Sequence, residues 1–166
     1  MYQLFIADAD QLVMRGIQSL FNFDELDVTL GGFFQTGKQM MKAILQKCPE
    51  MVLLDVDLPD ISGFELIRAI QSQMGRPPLF IIISHRKRFE DMREAVQLRV
   101  FDYILKSDLT EEKLYNVIER AKMFIDQEEE NISLNISKME YVNKRSMRAV
   151  FFERLLNDWF NEPIDL

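Results

Sequence analysis

Several functional classes are closed to this 166-residue chain by what it lacks. Its one cysteine, Cys48, excludes an intramolecular disulfide and fits a reducing compartment. Its one histidine is His85. Together these counts exclude zinc fingers, His-rich metal sites and disulfide scaffolds, and a Ser-His-Asp triad would have to use His85. Twenty basic residues face 27 acidic ones, and the net charge of −7 argues against broad nucleic-acid binding by this chain. No apolar run approaches the ~18 residues of a membrane span. The start, MYQLFIADAD, meets an acid at Asp8 and does not read as a signal peptide. No membrane association and a cytoplasmic location are therefore expected.

What is present is an ordinary globular balance, 48% hydrophobic and 28% charged. A compact chain of this size buries roughly two-thirds of its unfolded surface, enough for a core without staples.

Five short β-like runs stand out: Gln3–Ala7, Val28–Phe34, Met51–Leu54, Leu79–Ser84 and Phe101–Leu105. The first, third and fourth are nearly continuous apolar runs, as in parallel strands covered on both faces. Helical stripes lie between them. Leu12, Ile17, Leu20 and Phe21 form the first, and Met40, Met41, Ile44 and Leu45 the second. Phe64, Leu66, Ile67 and Ile70 follow, then Met92, Ala95, Val96 and Leu98. Leu114, Val117, Ile118, Ala121 and Ile125 form the last, with Asp108 and Thr110 as candidate N-caps. Pro49, Pro77 and Pro78 stand where helices should stop. The alternation predicts an α/β fold, a (βα)5 doubly wound parallel sheet. Its functional crevice lies beyond the carboxyl ends of the strands.

Those ends carry Asp8 and Asp10 after strand 1, Asp55 and Asp57 after strand 3, Ser84 at strand 4 and Lys106 after strand 5. A strand order 2-1-3-4-5 makes the acids of strands 1 and 3 neighbours. Clustered carboxylates raise one another's pKa, and a hard cation such as Mg²⁺ relieves that. A lysine can hold a phosphoryl oxygen as a point charge and a serine can donate a hydrogen bond. The set suits phosphoryl transfer onto a carboxylate.

Asp55-Val-Asp-Leu-Pro-Asp-Ile-Ser-Gly63 resembles the D-x-x-x-P-x-x-x-G phosphoacceptor loop of bacterial two-component response regulator receiver domains. Ile6-Ala-Asp-Ala-Asp10, the IIIS run ending at Ser84 and the FDYILK run ending at Lys106 resemble the family's other segments, over about residues 1–125. The resemblance implies Asp55 as phosphoacceptor, Asp8 in the acidic pocket and the main-chain carbonyl of Asp57 as a metal ligand. It implies Ser84 as switch hydroxyl, Lys106 as the pocket lysine and Tyr103 as an aromatic that swings inward. It also implies Mg²⁺, a sensor histidine kinase as partner and a place in a phosphorelay. The chain would then be a signalling switch, not an enzyme acting on an external substrate.

Three positions depart from the family pattern. Ala9 stands where a second adjacent acid is usual, and Asp10 reads more simply as a helix cap. His85 follows the switch hydroxyl where a small residue is usual. Ser107 follows the lysine where proline, often in a cis bond, is usual. These bear on Mg²⁺ affinity and phosphorylation rate rather than on the fold. Ala9 and His85 keep open a phosphorylation-independent pseudo-receiver acting as a protein-interaction module. A hydrolase of haloacid-dehalogenase type, using the Asp55-Val-Asp57 pair, fits poorly because that motif belongs on strand 1.

Residues 126–166 read as a helical linker or dimerisation segment. Ile118, Ile125, Ile132 and Met139 recur every seven residues, but of the companion positions only Ile136 is apolar, a weak coiled-coil signal. It either continues the fifth helix or folds back. Met147, Val150, Phe151, Leu155 and Trp159 make a second stripe. Arg145–Asp158 resembles the start of the central region of receivers with an AraC-type DNA-binding domain. The resemblance implies a transcriptional regulator cut before that domain, which alone would meet DNA. A homodimer through the C-terminal helices or a receiver face is a further expectation.

Overall fold

The computed structural model describes residues 1–160, with side chains through residue 139. The ending NEPIDL lies outside the described residues, as do the side chains of the Met147–Trp159 stripe.

Strands β1 (Tyr2–Ala7), β2 (Val28–Phe34), β3 (Met51–Asp55), β4 (Leu79–Ser84) and β5 (Asp102–Leu105) form one sheet. They alternate with helices α1 (Gln11–Leu20), α2 (Gly37–Lys47), α3 (Gly63–Gln73), α4 (Phe89–Gln97) and α5 (Glu111–Phe160). Every strand pair is parallel and the order is β2-β1-β3-β4-β5, as the alternation predicts. Leu4 to Ala7, Met51 to Leu54 and Ile81 to Ile83 are all buried, which is why these runs carry almost no polar residue. The β1–β2 register slips between Leu4 and Phe5, so Leu30 and Gly32 pair while Gly31 bulges.

The helices depart from the expected stripes in two places. In α1 the buried residues are Met14 and Ile17, while Leu12 is 74% exposed. In α4 the sheet-facing pair is Asp91 and Ala95; Met92 and Val96 face solvent, as does Phe89. A nine-residue helix with apolar residues on two sides gives its pattern no way to choose the inward side. Of the two alternatives for the segment after Gln127, the helix continues: α5 runs without interruption to Phe160. Its first turn is held by Thr110, whose Oγ1 accepts the Lys113 N–H at 3.2 Å. Asp108 instead accepts from Ser107 Oγ at 3.4 Å within a 3-10 turn, Lys106–Asp108.

The chain forms two compact units, Met1–Met123 and Phe124–Leu166. In the second, Phe124, Ile132, Leu134, Ile136 and Met139 are exposed apolar residues.

Candidate functional site

The sheet register assembles the site. Ala7 pairs with Leu54, so Asp8 and Asp55 leave adjacent strands side by side. Asp55 pairs with Ile83 and Ser84 with Leu105, which brings Ser84 and Lys106 to the same edge. Asp8, Asp55 and Ser84 are all buried.

Lys106 joins the two acids. Its Nζ lies 2.8 Å from Asp55 Oδ2, a hydrogen bond, and 2.6 Å from Asp8 Oδ2. The contact with Asp8 is a close ion pair, and Lys106 is the only partner of the buried Asp8 Oδ2 among the described residues. The other oxygens are held by the main chain. Asp8 Oδ1 accepts the Asp10 N–H at 2.8 Å, and Asp55 Oδ1 accepts the Asp57 N–H at 3.1 Å. Two buried carboxylates share one ammonium. Burial pushes Asp8 above the usual carboxylate range; Lys106 and the Asp10 N–H pull it back only in part, and Asp55 adds to the push. Burial would lower the Lys106 ammonium, but hydrogen bonding and charge from Asp55 and Asp8 outweigh it and raise its pKa.

Asp10 does not join this pocket. It is the N-cap of α1, its Oδ1 accepting the Leu12 N–H at 2.8 Å. Asp57 does not point its carboxylate inward either; that group pairs with the guanidinium of Arg86 at the rim. His85 and Ala9 are exposed. No described peptide bond is cis, and the 3-10 turn at Lys106–Asp108 takes the chain out of β5.

Ser84 Oγ accepts the Arg86 N–H at 3.0 Å. Tyr103 is half-buried, and its hydroxyl donates to the Arg86 carbonyl at 2.9 Å. Burial raises the Tyr103 pKa; the Ser84 hydroxyl and Arg86 oppose it, while Asp91 and Asp57 add to it. The site therefore gathers Asp8, Asp55, Ser84 and Lys106 at its centre, with Asp57, Arg86 and Tyr103 at its edge.

Two residues were not legible as site components. Arg86 lies in the basic run Arg86-Lys87-Arg88, whose sequence offers either a solvated helix start or a docking patch but no link to Asp57 or Tyr103. Asp60 lies inside the Asp55–Gly63 loop and closes the N-terminus of α2. Its Oδ1 accepts from Gly37 N at 2.7 Å and its Oδ2 from Lys38 N at 2.8 Å. Spacing to Asp55 was the only available signal for Asp60; its partners are 22 and 23 residues away. The loop ends at Gly63, where an added Cβ would sit 2.7 Å from the Asp55 carbonyl oxygen. Glycine is thus required for α3 to close on the backbone of Asp55.

The donor set suits a small hard cation. The buried Asp8 and Asp55 carboxylates share one lysine, which leaves them a negative charge in excess. Mg²⁺ keeps several waters and needs only one or two protein carboxylates. Among the described residues no three His, Cys, Asp or Glu side chains converge as a cage.

Comparison with known proteins gives one family. The response regulator receiver domain matches residues 4–119. The uncharacterized transcriptional regulatory protein YesN of Bacillus subtilis (strain 168) is 31% identical over 106 residues, covering 64% of this chain and 28% of YesN. The chain thus spans well under two-thirds of that relative's length. The response regulatory domain of protein mrkE from Klebsiella pneumoniae superposes with a TM-score of 0.67 at 26% identity, covering 75% of this chain and 98% of that one. The REC domain of AraT, a response regulator from Geobacillus stearothermophilus, has the same fold, with a TM-score of 0.70 at 22% identity over 77% of this chain and 98% of that one.

Proposed function

The chain belongs to the response regulator receiver family, and on that premise we propose that it is a phosphorylation-dependent signalling switch with Asp55 as phosphoacceptor. The observation that carries this reading is the seating of Asp55. It is buried at a strand end, 2.8 Å from Lys106 Nζ and beside the charge-starved Asp8. A carboxylate oxygen of Asp55 attacks the phosphorus of a phosphohistidine on a sensor histidine kinase. The phosphorus–nitrogen bond breaks, its electron pair stays on the imidazole, and an acyl phosphate forms on Asp55. Lys106 then holds a phosphoryl oxygen as a point charge, and Ser84 gives a hydrogen bond. The Asp8 and Asp55 carboxylates and the Asp57 main-chain carbonyl are the groups that would hold Mg²⁺. When bound, it neutralises charge between donor and acceptor.

The new charge biases a two-state surface that includes Ser84 and Tyr103, the state read by partners. On this reading residues 1–125 are the receiver and 126–166 a helical linker, with dimerisation through the exposed apolar residues of α5 or through a receiver face. The function controlled is transcription, in keeping with the name of YesN. DNA is met through a separate DNA-binding domain, and the protein works in the cytoplasm.

Intact-mass spectrometry after incubation with acetyl phosphate and Mg²⁺ tests the proposal. One phosphoryl-sized gain, absent from Asp55→Asn, is expected. No gain from acetyl phosphate or from a histidine kinase would overturn it in favour of a phosphorylation-independent interaction module. Ala9 and the diversion of Asp10 to helix capping favour that second reading, because they leave two side-chain donors for the cation.

A further inference from the structure

Arg86 contacts the site with three separate groups. Its N–H donates to Ser84 Oγ at 3.0 Å. Its carbonyl accepts the Tyr103 hydroxyl at 2.9 Å. Its guanidinium pairs with the carboxylate of Asp57, whose own N–H binds Asp55 Oδ1 at 3.1 Å. One residue therefore spans the loop after β3, the end of β4 and the aromatic on β5.

The guanidinium is the site's second cation, and it differs from Lys106 in burial. The Lys106 side chain is 6% exposed and committed to two buried carboxylates. The Arg86 and Asp57 side chains are 37% and 39% exposed. An ion pair that wet is weak, worth about fivefold in an equilibrium constant at most. Asp57 therefore parks the guanidinium at the rim without trapping it. A phosphoryl group brings roughly two negative charges and three acceptor oxygens, and a planar guanidinium binds such oxygens better than it binds one carboxylate.

We propose that Arg86 is the anion-capturing residue of the pocket mouth. Its guanidinium leaves Asp57 for an oxygen of the incoming phosphoryl group. The inference rests on the phosphorylation of Asp55 proposed above and adds a residue to that reaction. Acetyl phosphate is a sufficient donor: its phosphorus–oxygen bond breaks, acetate leaves with the electron pair, and Asp55 takes the phosphoryl group.

The test is the half-saturating acetyl phosphate concentration, read by intact mass with Mg²⁺ fixed. In Arg86→Gln it should rise at least threefold while the limiting rate changes less, and Arg86→Lys should recover part of the loss. In Asp57→Asn, which frees the guanidinium, it should fall. In the double variant the Asp57 effect should vanish, because it acts through Arg86. Additive effects would mean that Asp57 acts by its own charge, and would overturn the inference. So would an unchanged half-saturation in Arg86→Gln with the wild type phosphorylated. A wild type that takes no phosphoryl group overturns the phosphorylation reading together with this one.

Discussion

Lys106 Nζ stands 2.6 Å from Asp8 Oδ2 with both side chains almost wholly out of water, yet Asp8 is the less well satisfied partner because Asp55 claims the same ammonium. The folded-state pKa of Asp8 lies above its unfolded value, so the folded chain holds the extra proton in the interval between them. Stability therefore falls as pH rises through that interval. Asp8→Asn should remove this fall and raise the melting temperature at pH 7. Added Mg²⁺ should raise the wild type and leave the variant nearly unmoved. Thermal melts by circular dichroism from pH 4 to pH 8, with and without Mg²⁺, read both effects. A variant less stable than wild type at pH 7 would refute the account.

Lys106→Met removes the cation that Asp8 and Asp55 share. Two buried carboxylates are then left facing each other, and breaking a buried pair costs about 3–5 kcal/mol. Part of that cost should be relieved at low pH, where Asp8 takes a proton. Urea unfolding should show a larger deficit at neutral pH than at acid pH. The Lys106 contribution itself is complete below the unfolded lysine pKa and is lost as pH rises through its raised folded value.

Gly63→Ala places a methyl group 2.7 Å from the Asp55 carbonyl oxygen and 3.1 Å from Val56 Cα, both backbone atoms. Neither can swing aside as a side-chain tip could. The expected cost is about 1–3 kcal/mol from overpacking. Displacement of Asp55 should also slow phosphorylation well beyond what lost stability explains. Mass spectrometry at a temperature where the variant is fully folded separates the two.

Asp60 ties the loop after β3 to α2. Burial pushes its pKa up, but N–H donors from Lys38, Gly37 and Ile61 outweigh that and hold it below the usual carboxylate value. Its contribution to stability is therefore present above the unfolded pKa and is lost as pH falls through the lower folded one. Asp60→Ala should cost about 1 kcal/mol at pH 7, the usual price of a lost helix cap. The gap between wild type and variant should narrow as pH falls below the unfolded Asp value near 3.9. Urea titrations at pH 7 and pH 3 measure it.

Most of the fold was legible because it depends on local pattern. Apolar runs too continuous for half-exposed strands, spaced one helix apart, leave a parallel sheet covered on both faces as the arrangement that buries them. Asp8, Asp55, Ser84 and Lys106 were legible because each directly follows or ends such a run, where this architecture gathers its polar groups. The inward sides of α1 and α4 were legible only in part: Ile17, Phe21 and Ala95 are buried as expected, but Leu12, Met92 and Val96 are not. Met92 and Val96 are as apolar as Ala95, and only the docking of α4 on the sheet decides that Asp91 and Ala95 turn inward.

The sequence by itself determined the order of elements, the parallel sheet and the identity of the groups at its carboxyl edge, because periodicity and strand ends are properties of neighbours along the chain. Tertiary structure alone decided which charges meet. Arg86 reaches Asp57 across 29 residues, Lys106 reaches Asp55 across 51, and Asp60 caps a helix begun 23 residues earlier. Such pairings follow from the register and loop paths of a closed fold, where a shift of one residue turns a side chain to the other face.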